Sequence, residues 1–580
     1  MAAVVREARE VEAAAGRYVD LMQAALACGD GAAAREAAEK AHECDAQLPS
    51  PLIVIGQTAL AAGQTEEARD RFARAAALSP NFLTLGLLAT SLHALGRAQE
   101  AREQLAKAVA CVPDLPDAQF VLGSVCELLE DRTGALTLYE RCLSARPGHA
   151  RARHRAGLCR LAAGDVIGAL DNMRRAMAEE APLAEQWTDL SAALAANGQF
   201  TAAHEAAEMA LSRTPSDVKA LNNLGYALVQ LNRSQEAIPV YAQAAADAPD
   251  MPAVRFGLAV ALLKAGHFDQ GWAEYEWRWR DCQRPRCDLR APLWLGEPLA
   301  GRTILIHAEQ GFGDSLQFVR FVPLLAGLGA CVVLQVPPAL QRLMHNVTGV
   351  ARVVTRLEHD LSYDFHCPMA TLPLRFGARP GRIPACPYLH VPEDDQARQG
   401  NALRARATGG MTPPDLVVGI VWSGDPRPND PKSNLVDRRR SIGLGDFAPL
   451  FDVPGIRFVS FQFGAARAAL AQGHWPVLDA MDGVTDFADT AARLAGIDLL
   501  ISVDTSIVHL AGSMNRPVWM LSRFDACWRW LEECEDTPWY PSMRIVRQAA
   551  PGDWQSVIQT VRARLVRLVD LYQHQIQAAA

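Results

Sequence analysis

The sequence Gly311-Phe312-Gly313-Asp314 sets a carboxylate just after two glycines, between a strand-like run at 303–306 and a helix-like run from Ser315. Open α/β sheets collect ligands at the carboxyl ends of their strands. Asp314 is therefore placed to act as a base, taking the proton of an attacking hydroxyl. The alternative is that it only caps the helix that begins at Ser315, since Asp is a favoured N-cap. Gly311 and Gly313 suit either role by supplying positive backbone angles and close approach.

A second group, Asp504, Thr505 and Ser506, stands between an apolar run at 499–503 and a helix expected over 507–514. Free amides at such a helix start point at an anion, and the two hydroxyls could add donors. His509, one turn on, either reaches the phosphate or ribose of a nucleotide or sits in the core. A third group lies in the loop 423–445, where Ser423 and Gly424 precede Lys432, Arg438, Arg439 and Arg440. These cations either neutralise a leaving phosphate or form a solvated basic loop, and Arg440, beside Ser441, is the preferred phosphate contact. The Trp-rich stretch 527–540 either lines a sugar or acceptor surface or packs in the core. Residues 548–571 suggest a terminal helix crossing back onto the first lobe.

These groups need a scaffold. Apolar runs at 303–306, 331–336, 352–355, 417–422, 457–461, 499–503, 518–521 and 543–546 alternate with helix-like segments, which predicts parallel sheets with crossover helices. The Pro- and Gly-rich segment 379–396 divides them into two lobes, 303–395 and 396–580. Upstream, a turn residue recurs at Gly29, Gly63, Gly96, Glu130, Gly164, Gly198, Asn232 and Gly266. Ala34, Ala68, Ala101, Ala135, Ala169, Ala203, Ala237 and Gly271 follow five positions later, and Pro80, Pro113, Pro147, Pro215 and Pro249 end most units. Turn, close contact and stop define a two-helix hairpin repeated over 1–282. A junction with Arg284, Pro285 and Trp294 spans 283–302 and reads as packed against its neighbours. Repeats and lobes each carry their own hydrophobic pattern, so activity is expected to divide near residue 300.

The repeat resembles the tetratricopeptide repeat, with Trp187, Leu190, Gly198, Ala203 and Pro215 on that family's motif positions and Leu224, Gly225, Ala237, Tyr241 and Pro249 repeating the match. The resemblance implies a superhelix with a protein partner; an array that only spaces or dimerises the downstream domain is the alternative. Residues 311–323 and 501–518 resemble the two signatures of heptosyltransferase-like enzymes, glycosyltransferase family 9, which implies a GT-B fold of two Rossmann-like lobes, with 303–395 on the acceptor side and 396–580 on the nucleotide-sugar side. Tetratricopeptide repeats fused to such a transferase resemble bacterial protein glycosyltransferases, including those that modify flagellin with a nonulosonic acid. The implied activity is metal-independent transfer from a nucleotide-sugar donor, with no cofactor, to a protein acceptor held by the repeats. Where heptosyltransferases carry glycine after Asp-Thr this chain has Ser506, which narrows the donor pocket and argues against heptose. Two rivals remain: a lipopolysaccharide heptosyltransferase-like enzyme, and a repeat scaffold with a degenerate transferase domain.

The composition is compatible with this. A net charge of -8 over 580 residues gives no electrostatic case for nucleic acid or an anionic membrane as the main partner. No apolar run is long enough to span a bilayer, and the N-terminus lacks the apolar core of a signal peptide, so a cytoplasmic location is expected. The 13 cysteines form no paired CxxC motif, and Cys282 with Cys287 has no partners to complete a metal site.

Overall fold

The computed structural model describes residues 2–112, 114–281, 289–357, 361–409, 415–427 and 430–579. The chain separates into two compact units, Met1–Ala193 and Leu194–Ala580. Pro113, Cys282, Arg284, Pro285 and Cys287 lie outside the described residues.

Met1–Ala193 is built of helical hairpins such as Pro49–Ala61 with Thr65–Leu78 and Pro116–Leu128 with Arg132–Ala145. Its expected turn residues all have positive φ, including the non-glycine Glu130 at 63°. Left-handed backbone disfavours a residue with a Cβ, so Glu130 marks a place where the repeat overrides local preference. The alanines five positions on, Ala34 to Ala169, are all buried, as close helix contact requires. Cys126 and Tyr139 join them in the core.

In Leu194–Ala580 the same hairpins continue, with Gly198, Asn232 and Gly266 again at positive φ. Val218–Gln230 packs on Ser234–Asp247, and Pro252–Lys264 on Phe268–Tyr275. After the short helix Arg278–Asp281, the junction packs against its neighbours: Trp294 is buried and its amide donates to the His366 carbonyl at 2.8 Å. The first sheet then forms from β1 (Thr303–His307), β2 (Cys331–Gln335), β3 (Val350–Val354) and β4 (Phe365–Pro368). All pairs are parallel, in the order β3-β2-β1-β4. The second sheet contains β5 (Leu416–Val421), β6 (Ile456–Ser460), β7 (Val477–Asp479), β8 (Leu499–Val503), β9 (Val518–Ser522) and β10 (Met543–Arg547). Its parallel order is β10-β9-β8-β5-β6-β7.

Both orders reverse direction once, between β1 and β4 and between β5 and β8. The second sheet has the complete doubly wound order of nucleotide-binding domains. Every residue of β5 is buried, as expected for a central parallel strand covered on both faces. Strands β4 and β7 were not expected from the sequence. The terminal helix Trp554–Ala579 corrects another expectation: Val557, Ile558, Val561, Leu565 and Val569 belong to the core of the second sheet, so the helix packs on its own lobe. The segment that does cross to the first lobe is the Trp-rich stretch 527–540.

Lys264 lies where the last hairpins meet the second lobe. It is buried, and its ammonium donates to the Val229 carbonyl at 2.7 Å. Burial lowers its pKa from 10.5 to about 8, against the pull of Glu532 and Asp525. Between these values the unfolded chain binds the proton and the folded chain does not, so unfolding free energy rises with pH across that window. The rise for one such group is roughly 3 kcal/mol. Urea titrations between pH 8 and 10.5 should show it in the wild type and not in Lys264→Met; an identical slope in the variant contradicts the assignment.

Candidate functional site

Two loops flank the reversal point of the second sheet. After β5, the buried Gln462 accepts from the amides of Trp422 and Ser423 at 3.0 and 2.9 Å and donates to the Ser423 carbonyl at 3.0 Å. Ser423 and Gly424 are thereby fixed at the strand end. The Gly424 amide donates to Ser441 Oγ at 3.0 Å. A Cβ on Gly424 would meet the side-chain ends of Asp437 and Arg440, so glycine lets both pack against the loop as they do. Arg440 ends the helix Pro431–Arg440 and donates from Nε to Asp437 at 2.9 Å. Asp437 orients the guanidinium against the loop. Lys432 belongs to the same helix, but its side chain lies outside the described residues. Arg439 points elsewhere, to Asp525 at 3.2 Å and across the ring of Phe200 at 5.1 Å.

After β8, Thr505 has extended backbone and precedes the helix Ser506–Ser513 without a side-chain cap. The Val508 amide donates to the Thr505 carbonyl at 3.2 Å, and a helix start without a side-chain cap is of the kind that suits an anion. Asp504 accepts from Trp530 Nε1 at 3.0 Å, which makes it a holder of the Trp-rich loop. His509 differs most from expectation. It is 6% exposed, its Nδ1 lies 2.9 Å from Tyr540 Oη, and its ring stacks on Trp530 at 5.3 Å. Burial, reinforced by Arg529 and Arg320, keeps it well below its usual pKa and neutral. It packs the core and brings no charge to a phosphate.

In the first lobe the helix begins at Phe312, three residues before the expected start, and runs to Phe318. Asp314 is its third residue, and Oδ2 accepts from the Gly311 amide at 3.0 Å. The other oxygen pairs with Arg529. Gly311 and Gly313 do not supply positive angles: Gly311 has φ −71° and Gly313 is helical. Gly313 serves close approach, because a Cβ there would lie 2.9 Å from His509 Cδ2. The helices bearing Asp314 and Ser506 thus pack first turn against first turn, one from each lobe. A second clasp joins the lobes where Arg342 donates to Asp486 at 2.8 Å and to Asp489.

Sequence reasoning missed Arg529, although the Trp-rich stretch around it was conspicuous. Its guanidinium lies 4.3 Å over Trp528, and it donates to Gln317 Oε1 at 2.6 Å and to Cys527 Sγ at 3.1 Å. Burial opposes its charge, but Asp314 and Cys527 outweigh that and hold it above its usual range.

The Tetratricopeptide repeat family model matches residues 53–116, 188–252 and 225–276. This chain carries tetratricopeptide repeats. Protein FlbA from Caulobacter vibrioides is 24% identical over 431 residues, 68% of this chain and 69% of that protein. Among solved structures, the APC/C hetero-tetramer Cut9-Hcn1 is similar over 42% of this chain and 48% of its own, at 16% identity and TM-score 0.36. The chain thus spans about half the length of that relative. A tetratricopeptide repeat protein from Parabacteroides merdae is similar over 43% of this chain and 99% of its own, at 13% identity and TM-score 0.34.

The last tetratricopeptide hairpin reaches the strand ends of the first lobe. Arg278, 3% exposed, donates to Glu309 at 2.9 Å, Glu276 at 2.7 Å and Thr371 Oγ1 at 2.8 Å. Glu309 also accepts from the Ala370 amide at 3.0 Å. Burial opposes the charge on Arg278, but Glu309 and Glu276 outweigh it. Arg278, in the short helix that follows the last hairpin, therefore bridges the segments after β1 and β4. Trp272, from the same hairpin, donates to the Ala378 carbonyl at 2.8 Å and meets Trp528 edge-on at 5.3 Å. Nearer the second lobe, Asn232 Nδ2 donates to the Phe524 carbonyl at 2.9 Å, and Ser234 Oγ to Glu532 at 2.6 Å. Among the described residues no helix is long and apolar enough to cross a membrane, and no group of three or more His, Cys, Asp or Glu could hold a metal ion.

Proposed function

We propose that this chain is a GT-B glycosyltransferase that moves a sugar from a nucleotide-activated donor to a protein held by its tetratricopeptide repeats. One observation carries the reading: the doubly wound second sheet has, at its reversal point, an uncapped helix start at Thr505 and Ser506 beside a loop that holds Arg440 against Gly424. Amides and a guanidinium there meet the phosphate of the leaving nucleotide. Asp314 faces that helix from the other lobe and takes the acceptor hydroxyl's proton. Flagellin is the acceptor to test first, on the sequence resemblance.

A second reading, a repeat scaffold with an inactive transferase domain, is favoured by the engagement of both Asp314 oxygens. Titration calorimetry with a panel of nucleoside mono- and diphosphates separates the two. The enzyme reading expects one nucleotide to bind, with Arg440→Ala weakening it about tenfold, on the order of 1.4 kcal/mol. Failure of the wild type to bind any nucleotide contradicts it.

A further inference from the structure

We propose that Arg529 is a charge switch: it pairs with Asp314 until donor binds and then turns to the donor's phosphate, freeing the carboxylate for the acceptor. The inference rests on the transferase reading of this site. Arg529 comes from the second lobe and Asp314 from the first, so their ion pair crosses between the lobes. The other groups it donates to, Gln317 Oε1 and Cys527 Sγ, are an amide oxygen and a cysteine sulfur. Asp314 is therefore the only carboxylate among its described bonding partners.

Gln317 supplies an independent observation. It is 0% exposed, Arg529 holds its oxygen, and its Nε2 has no hydrogen-bond partner. A buried N–H left unmet is costly, and an oxyanion arriving beside Arg529 would satisfy it. The contact of Gly313 with His509 sets the first turn of the Asp314 helix against that of the Ser506 helix. Trp530, the residue after Arg529, donates to Asp504, two residues before Ser506, so the segment bearing Arg529 is tied to the start of the Ser506 helix. The stacking on Trp528 at 4.3 Å anchors the guanidinium face while its edge changes partner.

The exchange fits the step it serves. The acceptor oxygen bonds to the anomeric carbon as that carbon's bond to the phosphate oxygen breaks. The electron pair leaves on the phosphate, and the hydroxyl proton passes to Asp314. Arg529 then sits on the charge that develops, and Asp314 is unpaired only when donor is bound. Donor must precede acceptor.

Inorganic pyrophosphate is the probe, titrated by calorimetry into full-length wild type, Asp314→Asn, Arg529→Gln and Arg529→Lys. Release of Arg529 from its carboxylate should make Asp314→Asn bind pyrophosphate five- to tenfold more tightly. Arg529→Gln should bind at least tenfold more weakly, with Arg529→Lys between. The sign for Asp314→Asn decides, and it does so even if Arg529→Gln does not fold. Equal or weaker binding by Asp314→Asn, or no binding by the wild type, overturns the exchange. Transfer assays on the same variants separate this from the transferase reading. Retained transfer with tightened pyrophosphate removes Asp314 as base and leaves the exchange standing. Lost transfer with unchanged pyrophosphate affinity keeps the base and removes the exchange.

Discussion

Asp314→Asn should abolish sugar transfer while leaving the fold and acceptor binding in place. Loss of a positioned general base reduces rate by about 10²- to 10⁴-fold. The substitution preserves size, and its amide oxygen can still accept from the Gly311 amide that starts the helix. It removes the charge facing Arg529. Breaking a fully buried ion pair costs about 3–5 kcal/mol, but the Asp314 side chain is 21% exposed and Asn still offers an acceptor, so a smaller loss of stability is expected. Thermal unfolding beside single-turnover transfer separates the two effects. Unchanged turnover in a folded variant contradicts the role of Asp314.

Cutting the chain at residue 296 should destroy cooperative folding of the C-terminal part, whereas a fragment of residues 184–580 should fold. The sequence suggested independent halves meeting near residue 300, but the compact units divide at Ala193 and Leu194. Trp272, Phe268 and Tyr275 share one core with Phe318, Trp528 and Trp539, and Arg278 is buried with Glu309. Removing one large buried aromatic costs about 3–5 kcal/mol, and a whole domain is stable by only about 5–15 kcal/mol. The shorter fragment loses three such aromatics and leaves Glu309 without its cation. Trp272→Ala in the full chain should lose about 3–5 kcal/mol. Urea unfolding checks both; a sharp transition in residues 296–580 equal to that of residues 184–580 would show that the last repeats are dispensable to the lobes.

The repeats were readable because their signal is local. Turn, small residue and proline recur within one hairpin, and the turns at Glu130 and Asn232 obey the period even without glycine. Eight strands were readable as apolar runs. β4, with the sequence Phe-His-Cys-Pro, and β7, only Val477–Asp479, were not: their pairing with β1 and β6 makes them strands, not their own propensity. The same limit applies at the site. Gly424 and Arg440 stand near each other in sequence and on the structure. The partner of Asp314, Arg529, lies 215 residues away, and nothing local marks it. The sequence left His509 open between a nucleotide contact and the core; burial against Gly313, Trp530 and Tyr540, which decides for the core, is a tertiary fact. Arg278 bridges the segments after β1 and β4 for the same reason: a residue just past the last hairpin meets a sheet that begins after it in the chain.

The central claim is that this chain transfers a sugar to a protein. Intact-mass spectrometry of candidate acceptors, flagellin first, produced with the wild type, with Asp314→Asn and without the chain, tests it most directly. The predicted result is a discrete mass increment of one or more sugar residues with the wild type only. Identical acceptor masses in all three cases, with the wild-type chain folded and a nucleotide-sugar supply present, would contradict it.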